Sequence, residues 1–415
     1  MRVARGYLSG MRYRSIFVGL ALFATSVSHA QHPVVQAILD SVRIDSMMLY
    51  LNELTGEVPI DLGNGPETIV SRHKNNPGNA LAQAWLEHKL VQFGYVTQVQ
   101  SWSTTGRNIL VTKPGTVPGA TALVFGAHYD AMPGGNLAAP AADDNGSGTA
   151  ALLEAARVLR NIEFEHPIIF TFWDEEEQGL VGSEYQAAGL ASNDVLLRGV
   201  INMDAIAYDG NGDKRMRVHV RPVGNSIEIG DTLVAVRSHY DLDLDLVVTN
   251  PGATYSDHAS FWNEGYGAVL VIEDFGPDGN PNYHLPSDLV EYLDVPYYEK
   301  IAKLAIAGAA TLAVPVDVAQ GMPSAEPGPL FRISAYPNPT EGDLTFWVES
   351  SVSASTRIVL HDALGHVVAV MHEGLLPVGK QAFDLSLSSL APGTYAIVAE
   401  QAGKAPAVVR VVRTP

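Results

Sequence analysis

Hydrophobic runs that end in acids and histidines constrain this chain more than any other feature. Ala122–Ala127, Ile168–Trp173, Val200–Met203 and Ala268–Ile272 are nearly continuous apolar stretches. Such runs predict strands buried on both faces, as in a largely parallel sheet covered by helices. His128-Tyr129-Asp130, Asp174-Glu175-Glu176-Glu177 and Asn202-Met203-Asp204 lie at the ends of the first three. Asp143-Asp144-Asn145 sits in the loop after the first run, and Tyr283-His284 follows the last. Open α/β sheets take their ligands at the carboxyl ends of strands. Buried carboxylates are costly unless paired or bound to metal. Several acids converging with two histidines are what a two-metal hydrolytic site requires.

Helical periodicity fills the gaps between the runs. It predicts helices near Asn79–Phe93, Ser147–Leu159, Val181–Leu190, Ser226–His239 and Tyr297–Leu312. The expected fold is therefore α/β, a mostly parallel mixed sheet sandwiched by helices. After residue 313 the texture changes. Val314–Leu330 carries Pro315, Pro323, Pro327 and Pro329 and reads as a linker over 314–330. Residues 331–415 hold short alternating runs separated by turn signals such as Pro337-Asn338-Pro339 and Ala391-Pro392-Gly393. They predict a small all-β sandwich. At the other end, Arg2, Arg5, Arg12 and Arg14 precede the apolar stretch Ile16–Val27 and Ser28-His29-Ala30. This is the pattern of a signal peptide, residues 1–30, leaving a first folded domain over 31–313. No later stretch is apolar enough to span a membrane.

Bulk properties remove whole classes of function. A formal net charge of −19 disfavours nucleic acid and anionic membrane surfaces as partners. The absence of cysteine excludes thiol nucleophiles, thiolate metal sites and disulfides.

Each cluster taken singly is ambiguous. His128-x-Asp130 could be a surface pair, or a metal-binding imidazole whose second nitrogen is held by a carboxylate. Asp143-Asp144 could cap the following helix, or one of the two could bridge a pair of cations. Glu175-Glu176-Glu177 directly follows a buried strand, where neighbouring carboxylates can divide the work of ligand and general base. Asp204 and His284 add one more acid and one more imidazole, the donor set that zinc prefers.

Taken in order, these pieces resemble the secreted di-zinc aminopeptidases of the bacterial leucyl-aminopeptidase type. The likeness covers roughly Leu51–Leu312 and includes Ile69-Val70-Ser71-Arg72-His73 upstream. It implies the zinc exopeptidase fold and two Zn2+ per chain. His128 and Asp204 would hold one ion, Glu177 and His284 the other, and Asp144 would bridge them. Asp144 is chosen over Asp143 because the bridging acid of the family stands three residues before the serine of Ser147-Gly148. Glu176 would be the general base. Asp130 would orient His128, and Tyr283 would stabilise the tetrahedral oxyanion. Ser256-Asp257-His258 resembles a further motif near the site. In such an enzyme the metals polarise the scissile carbonyl and acidify a bridging water, and the glutamate moves its proton to the leaving amine. Substrates would be peptides with a free N-terminus, and the pocket walls would come from loops such as Asn136–Ala142 and Thr249–Tyr255.

The last part of the chain, with Tyr336-Pro337-Asn338-Pro339 and Leu390-Ala391-Pro392-Gly393-Thr394-Tyr395, resembles the sorting domain of the type IX secretion pathway. That implies export through the periplasm to the exterior or cell surface, with the type IX machinery as a partner. The alternatives on the same fold are a glutaminyl cyclase-like enzyme with one zinc and a carboxypeptidase- or dipeptidase-type relative.

Overall fold

The computed structural model describes residues 32–316, except 136 and 277–278, and residues 331–414, except 363–365 and 402–406. The expected leader and residues 317–330 of the expected linker lie outside the described residues. The chain divides into two compact units, Met1–Asp317 and Val318–Pro415.

The first unit is built on an eight-stranded sheet. In chain order its strands are β1 (Thr97–Ser101), β2 (Arg107–Lys113), β3 (Ala122–His128), β4 (Ile168–Trp173), β5 (Leu197–Met203), β6 (Arg215–His219), β7 (Asp245–Thr249) and β8 (Ala268–Glu273). The spatial order is β1-β2-β4-β3-β5-β8-β6-β7. The four central strands β4, β3, β5 and β8 run parallel. β2 on one side and β6 on the other pair antiparallel with this block, and the edge strand β1 pairs antiparallel with β2. The central strands are the apolar runs of the sequence, and both of their faces are covered. Leu123, Phe125, Ile201, Met203, Val269 and Val271 face one apolar core, whereas Val124, Val200, Trp173 and Ala268 face another.

Helices α1 (Pro33–Ser41), α2 (Ile44–Thr55), α3 (Pro77–Gln92), α4 (Gly148–Leu159), α6 (Ser226–His239) and α8 (Val295–Ala313) contribute to the first core. Helices α5 (Val181–Ser192) and α7 (His258–Asn263) contribute to the second. α8 starts on Asp294, whose carboxylate accepts from Tyr297 N–H. Its alanine-rich body packs closely, and a Cβ at Gly308 would stand 2.3 Å from Leu233. β1, β6 and β7 are not announced by an apolar run. β1 and β7 lie at the sheet edges with few buried residues, so burial leaves little pattern in their sequences.

The second unit is all antiparallel. Its strands are β9 (Phe331–Tyr336), β10 (Asp343–Ser350), β11 (Ala354–His361), β12 (Val367–Leu376), β13 (Gly379–Ser386), β14 (Gly393–Gln401) and β15 (Ala407–Arg413). They form sheets β9-β10-β13 and β12-β11-β14-β15. Leu344, Phe346 and Val348 of the first sheet share a core with Ile358, Leu360 and Ile397 of the second. The strict in–out alternation of β10 is the period-two signature of a half-buried strand.

Candidate metal centre

The acidic and histidine clusters converge at the carboxyl ends of the parallel strands. His128 is the last residue of β3 and is wholly buried. Its Nε2 lies 3.2 Å from Asp204 Oδ1, 3.4 Å from Asp144 Oδ1 and 4.0 Å from Glu176 Oε2. Its Nδ1 is 3.3 Å from Asp130 Oδ1. In-strand alternation would have kept Asp130 away from the ring, but Asp130 stands past the strand end, where the chain turns. The same carboxylate accepts from the backbone N–H groups of Glu176 and Glu177, at 3.1 and 3.3 Å. One acid therefore fixes both the imidazole and the loop after β4.

That loop turns sharply. Glu175 has φ 58, the left-handed region that is unusual outside glycine. The turn sends the next two acids different ways. Glu176 faces His128, while Glu177 Oε2 lies 2.8 Å from His284 Nε2. Glu175 itself stays out of the cluster, beside Lys74 Nζ at 3.5 Å and accepting from Trp102 Nε1 at 3.3 Å.

Asp144 is the shared element. Its Oδ1 faces His128, and its Oδ2 lies 3.1 Å from His284 Nε2. It does not cap α4: the N-cap position is Ser147, which makes no side-chain cap bond. The segment Ala142–Ser147 departs from helical geometry at Asp144 and Asn145, and the peptide between these two is cis. Other side chains hold it there. Asp288 accepts from the N–H groups of Asp143 and Asp144. Asn145 donates to Met203 O at 2.9 Å and accepts from Gly148 N–H at 2.9 Å. On the opposite side Ser256 Oγ donates to Asp204 Oδ2 at 2.6 Å. Arg72, fully buried, donates to the carbonyls of Leu54, Tyr129, Pro140 and Ala141 and so ties the loops beneath the site together.

The electrostatics describe a site short of positive charge. Burial, followed by the charge of Asp144, pushes Glu177 up to about 8. Burial likewise raises Glu176 well above the glutamate range and raises Asp204. Burial also opposes ionisation of Asp144, but the two imidazoles outweigh it and hold this carboxyl well below its usual range. His284 rises to about 10, because Asp144 and Glu177 overcome the effect of burial.

The donor set fits a pair of cations. His128, Glu176 and Asp204 form one group and Asp144, Glu177 and His284 another, with the ligand atoms in each within 4.8 Å of one another. His284 Nε2 and Glu177 Oε1 are buried yet make no aligned hydrogen bond, the state of atoms aimed at a common cation.

A cavity of about 650 Å3 opens over the cluster. Asp144, Glu176, Glu177, Asp204 and His284 form its polar floor, and Leu180, Thr254, Tyr255, Ile272, Phe275 and Tyr283 its walls. Thr254 and Tyr255 come from the expected loop 249–255. The other expected wall is corrected: no described residue of Asn136–Ala142 lines this cavity, because Ala139, Ala141 and Ala142 turn inward and are buried. Tyr283 stacks on His284, with ring centres 3.7 Å apart.

Sequence reasoning assigned no role to several buried acids beneath the cluster. Asp288 is pushed up to about 8, and Asp257 and Asp174 to about 7, each chiefly by burial. Asp288 stands four residues after His284, so its only signal is proximity to a motif residue, whereas Asp257 is the middle residue of the Ser256-Asp257-His258 motif, which was given no role.

Comparison with known proteins agrees with this architecture. Residues 108–309 match the profile of peptidase family M28, and residues 334–412 match the secretion system C-terminal sorting domain. The probable leucine aminopeptidase of Trichophyton verrucosum is 32% identical over 209 residues, or 48% of this chain and 55% of that protein. The match thus spans about half of that relative's own length. The structure of the LapA aminopeptidase of Legionella pneumophila is 25% identical and superposes with a TM-score of 0.60, covering 71% of this chain and 79% of that one. A glutaminyl cyclase of Bacteroides thetaiotaomicron shares the fold at 18% identity, with a TM-score of 0.52 over 64% of this chain and 97% of that one. The first unit of this chain is thus similar to peptidase family M28 over residues 108–309, and the second to the secretion system C-terminal sorting domain over residues 334–412.

Proposed function

We propose that this protein is an exported zinc aminopeptidase that releases N-terminal amino acids from peptides, with two zinc ions per chain. The observation that carries the reading is the geometry of Asp144, whose two oxygens face the two histidines. Asp204 stands beside one histidine and Glu177 beside the other. The aminopeptidase names of its relatives support the same reading.

His128 and Asp204 would hold one ion, Glu177 and His284 the other, and Asp144 both. When bound, such a pair polarises the scissile carbonyl and lowers the pKa of a shared water. The remaining chemistry belongs to the side chains. Glu176 stands at 4.0 Å from His128 Nε2, against 3.2 Å for Asp204, and so is left for proton work. It takes the proton of the attacking water and delivers it to the leaving amine, and its burial raises its proton affinity as that role requires. Asp130 holds the His128 ring. Tyr283, on the cavity wall, donates to the developing oxyanion. The acidic floor attracts a substrate α-ammonium, which makes a free N-terminus a requirement.

Residues 31–313 would form the peptidase domain, released from a leader at 1–30 on entering the periplasm. The linker 314–330 would join it to the sorting domain 331–415, which is read by the type IX machinery. No helix among the described residues is long and apolar enough to cross a membrane.

The test is hydrolysis of a panel of aminoacyl chromogenic substrates by the mature protein, with chelator, zinc add-back and N-acetylated controls. Activity that needs zinc and a free amine is the expected result. Two-metal protein inactive on every free-amine substrate would overturn the aminopeptidase and favour a carboxypeptidase-type relative. One zinc per chain with cyclisation of N-terminal glutamine would favour the cyclase.

A further inference from the structure

The loop 250–255 ends in a wall of the cavity, and its backbone is held in a way that the proposed reaction does not use. Gly252 N–H donates to Val220 O at 2.8 Å, and Gly252 O accepts from Arg221 Nε at 2.8 Å. At the next residue the partners are two imidazoles. Ala253 N–H donates to His219 Nδ1 at 2.9 Å, and Ala253 O lies 2.9 Å from His258 Nε2. His219 closes β6 and is 4% exposed, whereas His258 opens α7 and is wholly buried.

The pair works only with defined protons. His219 Nδ1 must be bare to accept, and His258 Nε2 must carry hydrogen to donate. Burial, aided for His219 by Arg217, pushes these rings down to about 4 and about 3, so both are neutral under ordinary conditions. The approach is close: a Cβ at Gly252 would stand 2.8 Å from His219 Cβ and 3.0 Å from the Trp262 ring. Directly after the held residue, Thr254 and Tyr255 face the cavity. The Tyr255 ring stands edge-on to His219, with centres 5.8 Å apart. Ser256 then reaches Asp204. One short loop therefore joins the cavity wall to a ligand acid, and two histidines from different elements hold its middle.

We propose that His219 and His258 are positioning residues for substrate selection, clamping both polar backbone atoms of Ala253 so that Thr254 and Tyr255 form a preset wall against the substrate's first side chain. This rests on the peptidase reading above. A wall already ordered in the free enzyme costs little to order on binding. Loosening it therefore weakens binding most for substrates whose first side chain is large enough to press on Tyr255. The chemical step, carried by Glu176 and the cluster, is left alone.

The experiment is a kcat and KM comparison on leucyl and alanyl p-nitroanilides for the zinc-loaded wild type, His219→Ala and His219→Asn. The asparagine oxygen takes the place of Nδ1 without its titration. In His219→Ala, KM for the leucyl substrate should rise about 10-fold, the worth of one neutral hydrogen bond. KM for the alanyl substrate, kcat for both and metal content should barely change, and His219→Asn should restore most of the leucyl KM. An unchanged ratio of leucyl to alanyl KM, or a fall in kcat alike for both substrates, overturns the clamp. If His219→Ala does not fold, His219→Gln takes its place with the same expectation, because its oxygen lies one bond too far out. Wild type inactive on both substrates would sink the peptidase reading itself. An active wild type with unmoved KM ratios in the variant would sink the clamp alone.

Discussion

The two ends of the cluster are built differently. At the His128 end the imidazole sits on a central strand, is wholly buried, and has its ring beside Asp130. Its backbone carbonyl accepts from Thr149 Oγ1 at 2.6 Å. At the His284 end the imidazole sits in a loop at φ 60, is 34% exposed, and is steadied by stacking on Tyr283. A ligand fixed by strand and carboxylate is preorganised, whereas a ligand on an exposed loop must be ordered by the ion it binds. The comparison teaches that the proposed donor set would offer a tight position and a looser one, with Asp144 common to both.

The harshest way to break the comparison is to remove its shared member. Asp144→Ala should cost about 10³-fold or more in turnover, several kcal/mol of transition-state stabilisation, and should lower zinc content at both ends. Elemental analysis beside kinetics checks this, and retention of both ions would contradict the bridging role. Glu176→Gln should fold, keep its metals and lose roughly 10²–10⁴-fold in turnover. Near-normal turnover would remove Glu176 as base.

Smaller changes sharpen the contrast between the ends. Asp130→Asn, which disturbs only the His128 end, should weaken one zinc by about 10–100-fold in chelator competition. Under mild chelation of the wild type, the ion at the His284 end should leave first. His284→Ala should hold one zinc per chain and lose the weakly held one, and loss of both would show that the ends are not separable.

Metal-free protein should also lose stability as pH rises. Without a cation the folded state keeps a proton on Glu177 up to about 8, whereas in the unfolded chain that proton leaves near the ordinary glutamate value of 4.5. Between those values the native state binds more protons than the unfolded state, so its stability falls with increasing pH. Asp288, raised to about 8, acts in the same direction. Zinc binds the deprotonated ligands, so the rise in Tm on adding zinc should be larger at about pH 8 than at about pH 5. A gain independent of pH would count against this proton inventory.

Much of the fold was legible because burial leaves a record in sequence. The strands β3, β4, β5 and β8 are buried on both faces and appear as apolar runs, and β10 shows strict alternation. β1 and β7 lie at edges where solvent tolerates nearly any residue, so composition does not mark them. The ligand candidates were legible because several acid and histidine clusters follow buried strands in one chain, and a family pattern ordered them.

The sequence by itself determined which residues are the candidates for the proposed chemistry: His128, Asp130, Asp144, Glu176, Glu177, Asp204, Tyr283 and His284 are written in local motifs after strands. Only the tertiary structure decided how they divide. That Asp144 turns one oxygen to each histidine, that Glu176 and Glu177 part company at the turn of Glu175, and that His219 and His258 meet at Ala253 are all contacts between residues far apart along the chain. Local pattern reports whether a side chain is buried. It does not report what stands opposite, because that depends on strand order and register across the whole sheet.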